Sequence, residues 1–122
     1  MWKLINIAQI GIIETFHASH GSKSHEHDFK VEVVLEGKID NLTGFVKGID
    51  HYKVIAELKK ITSSMENKNL KEILTTEGYK SSGNESIAKY FLNLLVDKFP
   101  VKYIKIWETE NRYAIIFPEE IK

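Results

Sequence analysis

The sequence predicts an α+β fold: a four-stranded antiparallel sheet with two sequential helices on one face, in a single domain over residues 1–122. Apolar and polar residues alternate near both ends of the chain, which is typical of strands. In the middle, apolar residues lie three and four positions apart, which is typical of helices. A chain of 122 residues is large enough for one hydrophobic core and too small for two. Because the helices follow each other between strands that form hairpins, both should cover the same face of the sheet.

The first half of the chain is predicted to form a hairpin and a short third strand. The segment 3–20 is rich in Ile and Thr, and Gly11 is its one expected bend or bulge. Turn-forming residues occupy 21–24, and apolar and charged residues then alternate over 28–36, as in a half-buried strand. After a loop, the segment 44–49 is predicted to be a short strand.

The middle of the chain is predicted to hold the helices. Apolar residues lie three and four apart over 54–65, which indicates an amphipathic helix, and Asp50 is its expected N-cap. The segment 67–81 is polar and irregular, with a short helical turn expected at 70–74. The second helix should begin at Ser82-Gly83-Asn84-Glu85, which has the form of a capping box in which Ser82 and Glu85 cap each other's backbone.

The last part of the chain is predicted to form a second hairpin. Pro100 ends the second helix because proline has no backbone N–H to continue the hydrogen-bond ladder. Two strands follow, over 101–109 and 112–117, and the tight turn at Glu110-Asn111 joins them. These strands should extend the sheet formed by the first hairpin.

Composition excludes several classes of function. Apolar residues make up 43% of the chain, charged residues 28%, and the formal net charge is zero, so nothing suggests binding to nucleic acid or to an anionic membrane. The absence of cysteine excludes disulfides, thiolate metal ligands and a thiol nucleophile. No apolar run approaches the roughly 20 residues that span a bilayer, and the start lacks a signal-peptide core. We therefore expect a cytoplasmic protein, and the low net charge permits self-association.

Four of the five histidines lie within eleven residues of the first hairpin. His25 and His27 share a face of their strand, and a four-residue turn would place His20 opposite His25 with Cβ atoms roughly 5 Å apart. His17 should face the other way. Three neutral histidines with an open fourth position are typical of a catalytic zinc site. The alternative is a solvated hairpin tip whose histidines bind no metal.

Five short motifs lie along the chain: Phe16-His17-Ala18-Ser19-His20, His25-Glu26-His27-Asp28-Phe29, Gly48-Ile49-Asp50, Ser82-Gly83-Asn84-Glu85-Ser86-Ile87-Ala88 and Ile106-Trp107-Glu108-Thr109. In this order they resemble the patterns F-x-A-x-H, H-G-H-x-Y, V-x-D, P-T-x-E-N-x-A and V-x-E-T of one enzyme family, the zinc-dependent 6-pyruvoyl-tetrahydropterin synthase and 6-carboxytetrahydropterin synthase family. The similarity runs in unbroken order from about Phe16 to Phe117.

The resemblance implies a metal site, a substrate and an assembly. It implies that His20, His25 and His27 bind zinc, and that Glu108, with Thr109, holds the amino-pyrimidine ring of a reduced pterin such as dihydroneopterin triphosphate. The family has the tunnelling fold, in which the sheets of several subunits pair into a barrel. We therefore expect a homotrimer or homohexamer with active sites at subunit boundaries.

The chain also departs from the family pattern at catalytic positions. The family's catalytic Cys, four residues before H-G-H, is Gly21 here, and the loop between the first two zinc histidines is shorter than usual. The family's L-D-H motif aligns with Met65-Glu66-Asn67, and an Asn amide does not titrate near neutral pH. Glu66 is therefore the remaining candidate for a catalytic acid or base.

Two functional hypotheses remain. The first is an enzyme, a carbon-oxygen lyase or aldolase that acts on the side chain of a reduced pterin with an altered catalytic set. The second is a non-catalytic paralogue that retains zinc and binds a pterin-like or purine-like heterocycle. The missing Cys and His favour the second hypothesis. Three zinc ligands with an open position favour the first, because structural zinc sites are usually closed by four protein ligands. We favour the enzyme.

Overall fold

A computed structural model describes residues 6–119 of the chain, so the start of the first predicted strand, residues 3–5, lies outside the described residues. The α+β class is confirmed. In chain order the elements are β1 (Ile7–His20), β2 (His25–Lys38), α1 (His51–Met65), β3 (Lys68–Asn69), α2 (Leu70–Thr76), α3 (Asn84–Leu95), β4 (Val101–Thr109) and β5 (Arg112–Ile116).

The sheet differs from the prediction in strand number and direction. It has five strands in the order β3-β1-β2-β4-β5, and β3 is parallel to β1 whereas the other pairs are antiparallel. Asn67 has a positive φ of 58° and turns the chain directly after α1, and its N–H donates to the carbonyl of His17 at 2.6 Å. This contact lays Lys68 and Asn69 beside β1. A strand of two residues has no alternation that could have been detected in the sequence.

Two smaller predictions about the strands are wrong. Gly11 forms no bulge, since it pairs with Val34 in a β1–β2 register that continues without a shift. The strand predicted over 44–49 is reduced to one isolated bridge between Ile39 and Val46. Gly44 and Gly48 both have a φ of 77°, which interrupts the extended backbone that a strand requires.

One face of the sheet carries the core, which it shares with three helices and not with the two that were predicted, because the short turn expected at 70–74 is the helix α2. Phe16 on β1 stacks on Phe29 of β2 with ring centroids 5.3 Å apart, and Phe91 of α3 packs on Phe16 at 5.8 Å. The amphipathic helix α1 contributes a buried stripe of residues three and four apart: Val54, Leu58, Ile61, Thr62 and Met65. Within the described part of the chain, no helix is both long and apolar enough to cross a bilayer.

The helix termini confirm one predicted cap and correct another. Asp50 is the N-cap of α1, and its side chain accepts hydrogen bonds from two N–H groups of the first turn at 3.0 and 3.4 Å. The capping box predicted for Ser82 and Glu85 is not formed. The N-cap of α3 is Gly83, without a side-chain hydrogen bond, and the Ser82 hydroxyl instead accepts from the N–H of Gly21 at 2.9 Å. A long-range contact to the hairpin therefore replaces the local cap.

Candidate metal centre

Three imidazoles converge at the end of the core face of the first hairpin. The four-residue turn places His20 directly opposite His25, as the turn length predicts, and His27 lies on the same face of β2. The Nε2 atoms of His20, His25 and His27 lie 2.8, 3.4 and 3.0 Å from a single oxygen, Oε1 of Glu108 on β4. One ligand atom from each of these four residues falls within 4.8 Å of all the others. The cluster therefore groups four potential metal ligands around one point.

Backbone carbonyls orient two of the three imidazoles. Nδ1 of His20 lies 2.7 Å from the carbonyl oxygen of Ser82, and Nδ1 of His25 lies 2.8 Å from that of Lys23. A carbonyl only accepts hydrogen bonds, so Nδ1 carries the proton in both rings. In the neutral imidazole, Nε2 is then unprotonated and available as a metal ligand, whereas the imidazolium also donates a hydrogen bond through Nε2, here to Glu108.

The carboxylate and the imidazole nitrogens of the cluster are groups that can bind a cation. Burial raises the pKa of Glu108, but hydrogen bonds from His20, Asn84 and His25 outweigh this effect and hold the pKa at about 2, so the group is a carboxylate. Burial lowers the pKa of His27, and its buried Nε2 has no hydrogen-bond partner. Three imidazolium ions this close would repel one another. A divalent cation bound here would use these lone pairs, and a set of His and Glu ligands fits zinc.

Two further side chains contact the second carboxylate oxygen of Glu108. Asn84 Nδ2, at the start of α3, lies 3.4 Å from Oε2, and Arg112 Nη2, at the start of β5, lies 3.5 Å from it. The amide oxygen of Asn84 is buried and has no partner. Sequence reasoning missed Ser82, Asn84 and Arg112 as parts of the site. Asn84 lay within the motif interpreted as a helix cap, and Arg112 follows Glu108 by four residues across a tight turn.

The other two predicted site residues lie elsewhere. Glu66 follows α1, and its Oε2 accepts a hydrogen bond from the N–H of His17 at 3.0 Å. The hydroxyl of Thr109 accepts from the N–H of Asn111 at 3.2 Å, and Thr109 lines a surface pocket of about 630 Å³ beside Trp107. The structure thus brings Glu108 to the histidines, whereas neither Glu66 nor Thr109 belongs to the group of converging ligand atoms.

The local structure explains why a glycine is favoured at position 21. Gly21 has a φ of +91°, and a Cβ added there would lie 2.9 Å from Cε1 of His25. Any side chain at this position would be strained in the backbone and would also displace a ring of the cluster. A nucleophile at position 21 would therefore strain the backbone and require the His25 ring to move.

Comparison with solved structures defines the class of fold. The chain superposes on Caenorhabditis elegans 6-pyruvoyl tetrahydropterin synthase with a TM-score of 0.83 and 19% sequence identity, covering 98% of this chain and 100% of that one. A Plasmodium vivax 6-pyruvoyltetrahydropterin synthase, solved as a catalytic-residue mutant, gives a TM-score of 0.71 at 16% identity, covering 94% and 99% of the two chains. The fold is that of the 6-pyruvoyl tetrahydropterin synthases.

Sequence comparison identifies the family. Residues 9–119 match the sequence model of the 6-pyruvoyl tetrahydropterin synthase family. The chain is 27% identical to human 6-pyruvoyl tetrahydrobiopterin synthase over 106 residues, 84% of this chain and 72% of the human one. It is 29% identical to the enzyme of the same name from Poecilia reticulata over 106 residues, 84% of this chain and 71% of that one. The chain belongs to the 6-pyruvoyl tetrahydropterin synthase family, as the motifs predicted.

Proposed function

We propose that the chain is a zinc-dependent enzyme of the 6-pyruvoyl-tetrahydropterin synthase type. It would act on the side chain of a reduced pterin, such as dihydroneopterin triphosphate, with an altered catalytic set. The observation that carries this proposal is the convergence of the Nε2 atoms of His20, His25 and His27. Zinc in such a site would polarise the hydroxyl and carbonyl oxygens of the substrate side chain and so ease proton removal.

The chain's own residues would hold and orient this centre. The carbonyls of Ser82 and Lys23 keep Nδ1 of His20 and His25 protonated, which leaves both Nε2 atoms available as ligands. The carboxylate of Glu108 adds negative charge beside the ligands. Its pairing with two adjacent N–H groups of an amino-pyrimidine ring, together with Thr109, is the substrate-binding role that we propose from the family resemblance.

The proposed acid–base group, Glu66, differs from the Cys and His that the family uses. Glu66 stands at the position of the family's Asp, and one of its oxygens already accepts a hydrogen bond from the N–H of His17. That contact fixes the carboxylate beside β1 and leaves its other oxygen available for a proton. Glu66 is therefore our candidate acid or base, in place of the family's Cys and His.

A second candidate function is a non-catalytic, zinc-retaining paralogue that binds a pterin-like or purine-like heterocycle. The observation that favours it is Gly21, where a nucleophile would strain the backbone and lie against the His25 ring. Binding of the heterocycle would then persist without turnover. The two candidates thus differ in product formation, and both require the metal site.

Product analysis separates the two candidates. The zinc-loaded protein is incubated with dihydroneopterin triphosphate and, separately, with its dephosphorylated form. A side-chain product that His25→Ala loses and His51→Ala retains would support the enzyme. His51 is a matched control because it is an exposed histidine at the start of α1, outside the cluster. Pterin binding without any product would favour the paralogue, and no binding of either compound would overturn both assignments.

A further inference from the structure

Arg112 is the one arginine of the sequence, and it lies beside the carboxylate that we propose as the substrate anchor. Its Nη2 is 3.5 Å from Oε2 of Glu108. We infer that Arg112 determines the specificity of the site by donating a hydrogen bond to the 4-oxo group of a 2-amino-4-oxo heterocycle whose adjacent N–H groups are bound by Glu108. The inference rests on the pterin-binding role of Glu108 proposed above. It adds a partner for the part of the ring that a carboxylate cannot bind.

A β-bulge brings Arg112 to both proposed substrate-binding residues. In the β4–β5 pair, Trp107 lies opposite Tyr113. Two residues further along β4, Thr109 lies opposite Arg112, which is only one residue back along β5, so the register shifts between the two pairs. In such a bulge two residues of one strand oppose a single residue of the other, and bulges often re-aim a side chain next to an active site. Glu108 and Thr109 therefore share Arg112 as their cross-strand neighbour.

The guanidinium has donors to spare for a ligand. It carries five N–H groups in a planar fork, and the Arg112 side chain is 68% exposed whereas that of Glu108 is 8% exposed. The carboxylate is thus packed in place, and the guanidinium reaches it from the solvent side. An ion pair with one exposed partner contributes little to stability, and Asn84 also contacts Oε2, at 3.4 Å. Replacement of Arg112 should therefore leave the fold and the orientation of Glu108 intact.

The recognised edge of the heterocycle carries two kinds of group. In a 2-amino-4-oxo ring, the 2-amino group and the neighbouring ring N–H are donors, and the adjacent 4-oxo oxygen is an acceptor. A carboxylate can accept from both donors, but it repels the oxygen because both are acceptors. Arg112 supplies the missing donor directly beside Oε2 of Glu108. The pair thus matches the edge that pterin and guanine share, and it mismatches a 2,4-diamino ring, whose 4-amino group is a donor facing a donor.

Two ligands that differ at this one ring position measure the contact. The zinc-loaded protein is titrated in a calorimeter with 6-hydroxymethylpterin, which has the 4-oxo group, and with 2,4-diamino-6-hydroxymethylpteridine, which has an amino group there. The wild type should bind the 4-oxo ligand more tightly. In Arg112→Ala the affinity for the 4-oxo ligand should fall by about tenfold, the lower end for a hydrogen bond from a charged group because the side chain is exposed. The affinity for the diamino ligand should not fall.

Two further variants and the remaining outcomes complete the test. Arg112→Lys keeps a charged donor and should retain part of the preference. Lys102→Ala should leave both affinities unchanged, and it is a matched control because Lys102 is an exposed basic residue of β4 that pairs with Glu36 at 3.6 Å. An equal loss of both ligands in Arg112→Ala, or an unchanged preference, would overturn the inference and leave pterin binding intact. Failure of the wild type to bind either ligand would overturn the pterin assignment itself.

Discussion

Substitution of Gly21 tests how closely the hairpin turn is fitted to the metal centre. An L-residue in the left-handed region costs about 1–2 kcal/mol, and Gly21 has a φ of +91°. Gly78 has a φ of +92°, but a Cβ added there would meet nothing within 4 Å. Gly21→Ala and Gly78→Ala should therefore have similar backbone costs, of about 1–2 kcal/mol each in the free energy of unfolding. Only the first substitution brings a Cβ within 2.9 Å of the His25 ring.

The two variants should separate in zinc affinity. To make room for the Cβ, the His25 imidazole has to move, and its Nδ1 contact with the Lys23 carbonyl then has to lengthen or break. Loss of such an orienting contact typically costs about 10–100-fold in metal affinity. Gly21→Ala should therefore lose zinc affinity by this factor, whereas Gly78→Ala should bind zinc like the wild type.

Two assays check this pair of variants. Urea denaturation gives the free energy of unfolding, and competition with a chromophoric chelator gives the zinc affinity. The same reasoning predicts that Gly21→Cys, which restores the family's residue, will not restore pyruvoyl formation. Equal zinc affinity in Gly21→Ala and Gly78→Ala would refute the steric argument, and so would a Gly21→Cys variant that gains rapid turnover.

Three further predictions concern the support of the site, its pH dependence and its assembly. Ser82→Ala removes the acceptor of the part-buried Gly21 N–H, so the free energy of unfolding should fall by about 1 kcal/mol in urea denaturation, and an unchanged value would contradict the contact. A hydrogen bond with Asp28 raises the pKa of His17, so this pair stabilises the fold below the unfolded pKa of about 6.5 and loses its effect as pH rises through the raised pKa. In an NMR titration Asp28→Asn should lower the pKa of His17 more than Glu26→Gln does, and equal shifts would contradict the assignment. Within residues 6–119, strand β5 lies at an edge of the sheet, and such edges invite pairing between subunits, so light scattering should give a trimer or hexamer; a monomer at micromolar concentration would contradict this.

The hairpin and its histidines could be predicted because they depend on local rules. Side chains alternate along a strand, and the number of residues in the turn fixes which residues face each other. The pairing of His20 with His25 follows from these two rules. The amphipathic period of α1 and the Asp50 cap are likewise properties of neighbouring residues.

The rest of the site depends on contacts between distant residues, and local rules do not reach them. Ser82 and Gly21 are 61 positions apart. The Ser82 hydroxyl forms a long-range hydrogen bond with the Gly21 N–H in place of the capping box that the local sequence suggested. Glu108 is 88 positions from His20. The motif identified Glu108 as a candidate site residue near the end of a strand, but it could not show that Glu108 approaches the imidazoles. The parallel strand β3 was missed because its position depends on the left-handed conformation of Asn67.

The central claim is that one metal ion is held by the hairpin histidines, and X-ray absorption at the zinc edge tests it most directly. The protein is purified with zinc, the metal content per chain is determined, and the spectrum is recorded for the wild type and for His27→Ala. The account predicts one zinc per chain in the wild type, with scattering from three imidazole rings, and loss of stoichiometric zinc in His27→Ala. Full zinc content in His27→Ala, or a wild-type spectrum without imidazole scattering, would contradict it.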